Sequence, residues 1–446
     1  MNLSFSRELP LYARYDVIVA GGGPAGCAAA IASAREGART LLIEDSGALG
    51  GMGTIGLVPA WCPFTDQEKV IYRGVAWEVF ESLKAESTYK NTDIVDWAPI
   101  DAETLKRVYD RLVTEAGAEV LFNTRICDVV MDENEPERLD CLVAANKRGL
   151  MAYRADMFVD CTGDADIIAF AGLTFACGDE KGQTQPATHC FILSNIDEDA
   201  YLAGPELHMS KRDSPVYDIA RSDKYPLVTD GHSCNNLIGQ GTVGFNAGHI
   251  WGVDSTNPES VSKALMHGRA LAHEFHEGLK EFCPGVYADS FLVSTAPAIG
   301  IRESRRVIGE YTLSMDDYLR RRSFPDEIGR NAYFIDVHYT EDKRAKVVSG
   351  ELNEEDAYAR YKPGESHGIP FRCLTPKGLV NVLTAGRNIS CDHQILGSVR
   401  VMPPCLVTGQ AAGTAAAMAA GLKTNVKGLA VDALRGQLRK NGAYFI

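Results

Sequence analysis

Apolar runs closed by glycine organise this chain. Asp16-Val17-Ile18-Val19-Ala20 has no polar position after Asp16, so it predicts a strand buried on both faces, as parallel strands are. It runs into Gly21-Gly22-Gly23-Pro24-Ala25-Gly26. Cys27-Ala28-Ala29-Ala30-Ile31-Ala32 then predicts a helix with small residues on its packing face. A second apolar run, Leu41-Leu42-Ile43, ends at Glu44. The same grammar returns twice. Met157-Phe158-Val159-Asp160 predicts a strand that ends in Cys161-Thr162-Gly163-Asp164-Ala165-Asp166, with a helix to Gly172. Residues Gly378 to Ala385 predict a strand ending at Gly386-Arg387-Asn388. Pro403-Pro404 then open an alanine-rich helix, since proline suits a first helical turn.

The stretches between have their own patterns. Asp101 is an N-cap for an amphipathic helix to Ala116, stopped by Gly117 and followed by the strand Glu119 to Phe122. Residues 125–131 and 139–145 alternate around a charged turn, Asp132 to Arg138, which predicts a β-meander. Residues 60–95 read as helical and lie at a domain interface. A helix runs from Pro258 to Leu279. Alternation in Tyr333-Phe334-Ile335-Asp336-Val337-His338 predicts a strand with Phe334, Asp336 and His338 on one face. Three nucleotide-type turns far apart in sequence predict one discontinuous domain, 1–175 with 371–446. Residues 176–370 are then an inserted α+β substrate or cap domain.

The first turn carries chemistry. Gly21 permits the tight turn, Gly23 lets backbone approach a pyrophosphate, and Gly26 lets helix and strand pack. The helix N-terminus offers unpaired N–H groups and a partial positive charge to phosphates. Glu44, about twenty residues on, can accept hydrogen bonds from a ribose 2′-hydroxyl and would repel a 2′-phosphate. Strand, turn, helix, strand and acid together specify a dinucleotide site where a lone glycine turn would not.

Composition narrows the partners. The 446 residues carry a net charge of −14, which disfavours nucleic acid and anionic membrane surfaces. The 12 cysteines include no C-x-x-C pair, against a structural zinc site, an iron–sulfur cluster or a dithiol centre. His273 and His276 do not form the H-E-x-x-H pattern, so no metal is expected. The first fifteen residues lack a continuous apolar core, and no unbroken apolar stretch reaches 18 residues. A reducing cytoplasm with free thiols is the expected location.

These motifs resemble those of the FAD-dependent oxidoreductases in the glutathione-reductase-like flavoprotein superfamily, on the fumarate reductase side. The resemblance rests on DVIVAGGGPAGCAAA (16–30), LLIEDSGALGGMGT (41–54), FVDCTGDADIIAFAG (158–172), APAIGIRESRRVIGEYTL (296–313), DVH (336–338) and LTAGRNISCDHQILGSVRVMPPCLVTGQAAGTAAA (383–417). It implies an α/β fold with a Rossmann-type FAD-binding domain. It also implies cofactor contacts. Gly21, Gly23, Pro24, Ala25 and Gly26 would hold the pyrophosphate, and Glu44 with Asp45 the ribose side. Gly50, Gly51 and Met52 would line the pyrophosphate and flavin. Ile126 would meet the adenine through its backbone, and Thr162, Gly163 and Asp164 would close over the nucleotide. Gly386, Arg387, Val401 and Met402 would approach the ribityl chain and ring. Relatives often place an acid where Arg387 stands, so its contact would differ and could be a direct pairing with phosphate.

Chemistry at the flavin needs a placed substrate carbon and a proton acceptor. His338, tuned by Asp336, is one candidate base; a satisfied structural pair is the alternative. His393 follows the Ala-Gly-Arg strand and is another. Arg302 could clamp a carboxylate or an oxyanion, or pair with Glu303 or Glu310. Arg400 directly precedes the alanine-rich helix. His249 reads more readily as a loop histidine, and Cys62 as a pocket wall. The expected reaction moves a hydride between a small carbohydrate- or hydroxy-acid-like substrate and FAD. Alternatives are C=C reduction and a flavin-binding sensor without turnover. No second G-x-G-x-x-G follows, so NAD(P)H is not expected as a built-in reductant, and the electron acceptor and oligomeric state stay open.

Overall fold

The computed structural model describes residues 6–87, 94–211, 213–343, 346 and 360–446. Its centre is a seven-stranded sheet. Strands β1 (Leu11–Ala20), β2 (Thr40–Ile43) and β3 (Glu119–Leu121) are parallel neighbours. On its other edge β1 pairs in parallel with β6 (Gly149–Asp160). The meander β4 (Arg125–Met131) and β5 (Leu139–Asn146) continues antiparallel from β6. Val17 to Ala20 are fully buried, as the unbroken apolar run requires.

The C-terminal strand is shorter than its apolar run. Only Val382–Thr384 pairs, and only with Phe158 to Asp160 of β6. The rest of that edge of β6 is taken by β5, and Gly378 turns the chain at φ +87°. Residues 60–95 also depart from expectation. Helix is confined to Val75–Glu86, and 88–93 lie outside the described residues. Pro63 has no N–H to give, and the Asp96 carboxylate takes the amides of Phe64 and Thr65 at 2.8 and 3.0 Å. Those amides are therefore not available to an upstream helical turn.

Helix α1 (Pro24–Arg35) lies against the long helix Met402–Leu422. Glycine sets their separation. A Cβ on Gly409 would sit 2.1 Å from the Ala25 carbonyl oxygen, and one on Gly413 2.1 Å from that of Ala29. The long helix is apolar and long enough to cross a membrane, yet 78% of its most apolar window is buried within the protein.

A second, antiparallel sheet is formed by Phe291–Thr295, Phe191–Ser194, Thr242–Ala247 and Ser233–Gly239, in that order. The helix Pro258–Phe282 covers it through Leu271, Phe275 and Leu279, which pack on Phe191 and Phe245. In its hairpin Ala247 is paired with Ser233. The open end therefore brings His232 and His249 side by side, and the Gly248 amide donates to the His232 carbonyl at 3.0 Å.

Candidate functional site

One cavity joins the two sheets' functional ends. Gly21, Gly23, Pro24, Ala25, Glu44, Gly51 and Met52 line it on the nucleotide-type side. Its wall also carries Thr162, Gly163, Gly386, Arg387, Val401 and Met402, together with Arg302, Asp336, His338 and Arg400.

The nucleotide side is built to hold an anion close to backbone. Gly21 is pinched at φ +93°, where a Cβ would meet the Cys161 carbonyl at 2.5 Å. Gly23 is the opposite case: nothing lies within 4 Å of its Cβ direction, which leaves open space at the start of α1. No side chain caps α1 or the helix Met402–Leu422, and prolines fill their first turns. Both helix N-termini thus present uncompensated positive ends to one cavity. The Glu44 carboxylate is fixed at the end of β2 by the amides of Gly22 (2.6 Å) and Ser46 (2.7 Å). These are the features that the ADP half of a dinucleotide needs.

The other side is a largely buried polar cluster that comes from five separate segments, 230–232, 246–249, 302, 336–338 and 400. His249 Nδ1 lies 3.1 Å from Asp230 Oδ2, and His249 Nε2 lies 2.8 Å from His338 Nδ1. His338 Nε2 faces Asp336 Oδ1 at 3.4 Å. The His232 ring stacks on His249 at 4.1 Å. Arg302 donates to the Pro186 carbonyl (2.9 Å), Thr188 Oγ1 (2.6 Å), His232 Nε2 (3.2 Å) and Asn246 Oδ1 (3.4 Å). All four acceptors are neutral. Among the described residues no carboxylate pairs with it, and a buried guanidinium so placed on a cavity wall favours an anionic or strongly polarised guest. Arg400 donates to the Asp336 carbonyl at 2.7 Å and approaches its carboxylate at 3.4 Å.

Burial sets the protonation states. It pulls His338 down to about 3, with Arg302 adding to the effect against the pull of Asp336. It also lowers His249 against the opposing pull of Asp230. His232 is lowered by burial, then by His249 and Arg302. Arg302 falls to about 10 through burial and the neighbouring Arg400. Burial alone would raise Asp336, but the cations Arg400 and Arg302 hold it below the usual carboxylate range, as a protonated His338 also would. At neutral pH the site therefore contains neutral imidazoles beside the ionised Asp336 carboxylate.

Comparison with known proteins agrees with the nucleotide side. The family model described as FAD dependent oxidoreductase matches residues 16–438. The chain belongs to the FAD-dependent oxidoreductase family. The cofactor of the family is FAD, and the glycine turn, Glu44 and the two uncapped helices fit it. The chain is also similar to thiamine thiazole synthase of Aeropyrum pernix, 29% identical over 184 residues, or 37% of this chain and 60% of that protein. It is 46% identical over 57 residues to dihydrolipoyl dehydrogenase of Trypanosoma brucei brucei, or 13% of this chain and 12% of that protein. Among solved structures, a geranylgeranyl bacteriochlorophyll reductase-like protein from Thermoplasma acidophilum aligns over 96% of this chain and 84% of its own. Its TM-score is 0.47 and its identity 13%.

Of the residues expected at the cofactor, Gly26, Asp45, Gly50, Ile126 and Asp164 are not among those that line the cavity. Asp45 forms an exposed ion pair with Arg125 at 2.5 Å and does not line the cavity. The Ile126 side chain is buried under the sheet in β4. Gly26 and Gly50 shape the turns from behind: a Cβ on Gly26 would fall 1.7 Å from the Gly21 carbonyl, and one on Gly50 2.6 Å from Thr54. Asp164 is held by Arg387 at 2.6 Å. Arg387 also donates to the Gly163 carbonyl at 2.9 Å and to that of Ile301, so it staples two loops while facing the cavity. His393 is turned away from the cavity. Its Nδ1 lies 2.9 Å from the buried Glu303, which also binds Arg306. That leaves Arg302 without the Glu303 pairing that its sequence neighbourhood offered.

The segment 332–340 is not a strand. Side chains take its backbone groups in place of a neighbouring strand. Tyr72 Oη accepts from the Ala332 amide at 3.0 Å, Ser398 Oγ donates to the Tyr333 carbonyl, and Gln185 Oε1 accepts from the His338 amide at 3.3 Å. Asp336 and His338 still reach the same cavity. His232, Asp230, Asn246 and Thr188 carry no local motif. Only the hairpin register between Ser233 and Ala247 could have paired the two histidines.

The ring nitrogens of His232, His249 and His338 lie within 4.8 Å of one another, close enough for a metal ion by distance. Orientation opposes it. His232 and His249 are near-parallel at 19°, so their in-plane lone pairs run side by side and do not converge. His232 Nε2 is already occupied by a guanidinium.

The depressed histidines make stability pH-dependent. His338 and the buried His367 are each held near 3, against about 6.5 in an unfolded chain. Below pH 6.5 the unfolded state binds more protons, so stability falls as pH drops from 6.5 towards 3. The melting midpoint is expected to decline steadily from pH 7 to 4.5. A flat profile over that interval would contradict these protonation states.

Proposed function

We propose that this protein oxidises a CH–OH carbon of a small hydroxy-acid- or carbohydrate-like molecule carrying an anionic group, and that FAD accepts the hydride. The observation behind this reading is that His338 and Arg302 line one cavity, Arg302 being a buried cation with no carboxylate within ion-pair distance among the described residues. A neutral imidazole can take the hydroxyl proton, and Arg302 can hold a carboxylate or the developing alkoxide. Gly21, Gly23, Pro24 and Ala25 would hold the pyrophosphate, Glu44 the ribose, and Val401 and Met402 the flavin edge. We place the chain near the fumarate reductase side of the glutathione-reductase-like superfamily, with 176–370 as the substrate-binding insertion. A small molecule and a separate electron acceptor would be its partners.

The test is anaerobic bleaching of the bound flavin by a panel of hydroxy acids, uronic acids and neutral sugars. Bleaching by acidic hydroxy compounds is expected; a flavin that none of them reduces overturns the reading. Arg302→Gln is expected to raise KM for an acidic substrate by about 10- to 100-fold. Its effect on a neutral analogue should be much smaller. Equal losses on both would remove Arg302 from substrate binding.

The reverse reaction, reduction of an activated C=C, is the alternative: Arg302 and Arg400 both line the cavity, where either guanidinium could supply the proton. Reoxidation of the reduced flavin by enoates, in the absence of oxygen, would select that reading.

A further inference from the structure

The four groups Asp230, His249, His338 and Asp336 form one line of three junctions, at 3.1, 2.8 and 3.4 Å. With both carboxylates ionised, three ring protons would fill every junction, but two neutral imidazoles supply only two. One junction must lack a proton. The two shorter junctions have hydrogen-bond geometry. The third, at 3.4 Å, is too long for a good one and is the junction on the cavity wall.

We propose that Asp230, which does not line the cavity, fixes the missing proton at His338 Nε2, so that this nitrogen is the site that receives the substrate's proton. In this arrangement His249 Nδ1–H donates to Asp230, and His338 Nδ1–H donates to His249 Nε2. His338 Nε2 is left as a lone pair towards Asp336 and the cavity. The proposal rests on the oxidative reading above. There the substrate O–H bond breaks and its proton goes to His338 Nε2. The C–H electron pair leaves as the hydride that FAD accepts. The added proton completes the third junction by donating to Asp336, and it returns to water when product leaves. Other charged and titratable neighbours are Arg302, His232 and Tyr339 beside His249, and Arg400, the Tyr333 hydroxyl (3.3 Å) and the Cys62 and Cys234 thiols near Asp336. Arg302, Arg400 and the Tyr333 hydroxyl are hydrogen-bonded to acceptors other than His338 Nε2. Asp230 is thus a positioning residue that acts through His249.

The reverse assignment is chemically complete as well, and one substitution should produce it. Asp230 Oδ1 already accepts from the His232 amide at 2.8 Å. In Asp230→Asn the side-chain carbonyl keeps that bond, which turns the amide NH2 towards His249 Nδ1. That nitrogen must then be the acceptor. His249 Nε2–H donates to His338 Nδ1, and His338 Nε2–H donates to Asp336. Two ring protons and one amide proton now fill the three junctions, and the vacancy on the cavity is gone.

Histidine ring 15N NMR of the flavin-loaded protein at pH 7.5 reads this directly, with no turnover. In the wild type both His249 and His338 are expected as neutral Nδ1–H tautomers. In D230N both are expected as Nε2–H. A wild-type His338 that carries Nε2–H overturns the proposal, as does a D230N variant whose tautomers are unchanged. The wild-type spectrum decides the matter even if D230N does not fold. In activity, D230N should lower kcat of flavin bleaching by about 10²–10⁴-fold, with KM changed little. If no hydroxy compound bleaches the flavin, the oxidative reading fails, while the tautomers still test where the vacancy lies. If bleaching occurs but His338 is Nε2–H, the reading survives and the placement of the vacancy fails.

Discussion

His338→Gln is expected to slow substrate-driven bleaching of the flavin by about 10²–10⁴-fold, the usual contribution of a placed proton acceptor, and to leave flavin content unchanged. The glutamine amide can still meet His249 and Asp336, so the cluster keeps its hydrogen bonds, but it cannot take a proton. The histidine it replaces is neutral at working pH because burial and Arg302 hold it near 3. For the same reason the acid limb of kcat/KM should lie well below pH 6, where an ordinary histidine would already be protonated. His338→Gln also removes a group that takes up a proton only on unfolding. Its melting midpoint should therefore fall less than that of the wild type between pH 6.5 and 4.5. A variant that bleaches at the wild-type rate would place the base elsewhere. His393 is not the replacement, because Glu303 and the helix it begins hold it outside the cavity.

The nucleotide end was legible in the sequence because its information is local. The β1 run, the Gly21 to Gly26 turn, α1 and Glu44 occupy fewer than thirty consecutive residues, and each carries a mechanism that residue type alone reveals. The Asp101 cap is of the same kind: its carboxylate accepts from the amides of Glu103 and Thr104. The polar end of the cavity was only partly legible. His338 was recognisable by its spacing from Asp336, Arg400 by its place before the alanine-rich helix, and Arg302 as a possible carboxylate clamp. Their partners were not. Asp230 and His249 meet because a hairpin folds them together, and His338 joins them from 89 residues away. No spacing rule covers such a contact. The misread strand at 333–338 has the same origin. Its alternation is real, but its backbone partners are the side chains of Tyr72, Gln185 and Ser398, which are far away in sequence.

Gly413→Ala should have one of the largest effects of any single methyl in the chain, and its neighbour in the same helix should behave in the opposite way. At Gly413 a Cβ would stand 2.1 Å from the Ala29 carbonyl oxygen and 2.7 Å from the carbonyl carbon, both backbone atoms of α1. A flexible side chain could swing aside, but a helix backbone cannot. To admit the methyl, α1 must lift from the helix Met402–Leu422, and the turn from Gly21 to Gly26 must move with it. Overpacking of this kind costs about 1–3 kcal/mol or more. Here it also displaces the two helix N-termini that face the cavity, so FAD should be lost before the protein melts. Gly421 lies in the same helix, is exposed, and has nothing within 4 Å of its Cβ direction. Gly421→Ala should therefore stabilise by up to about 1 kcal/mol through backbone entropy alone. Helix propensity predicts a gain at both positions, so the contrast isolates the packing contribution. Melting midpoint and flavin retention on desalting measure it. If both alanines stabilise, the close approach of the two helices is not what holds the cofactor cradle in place.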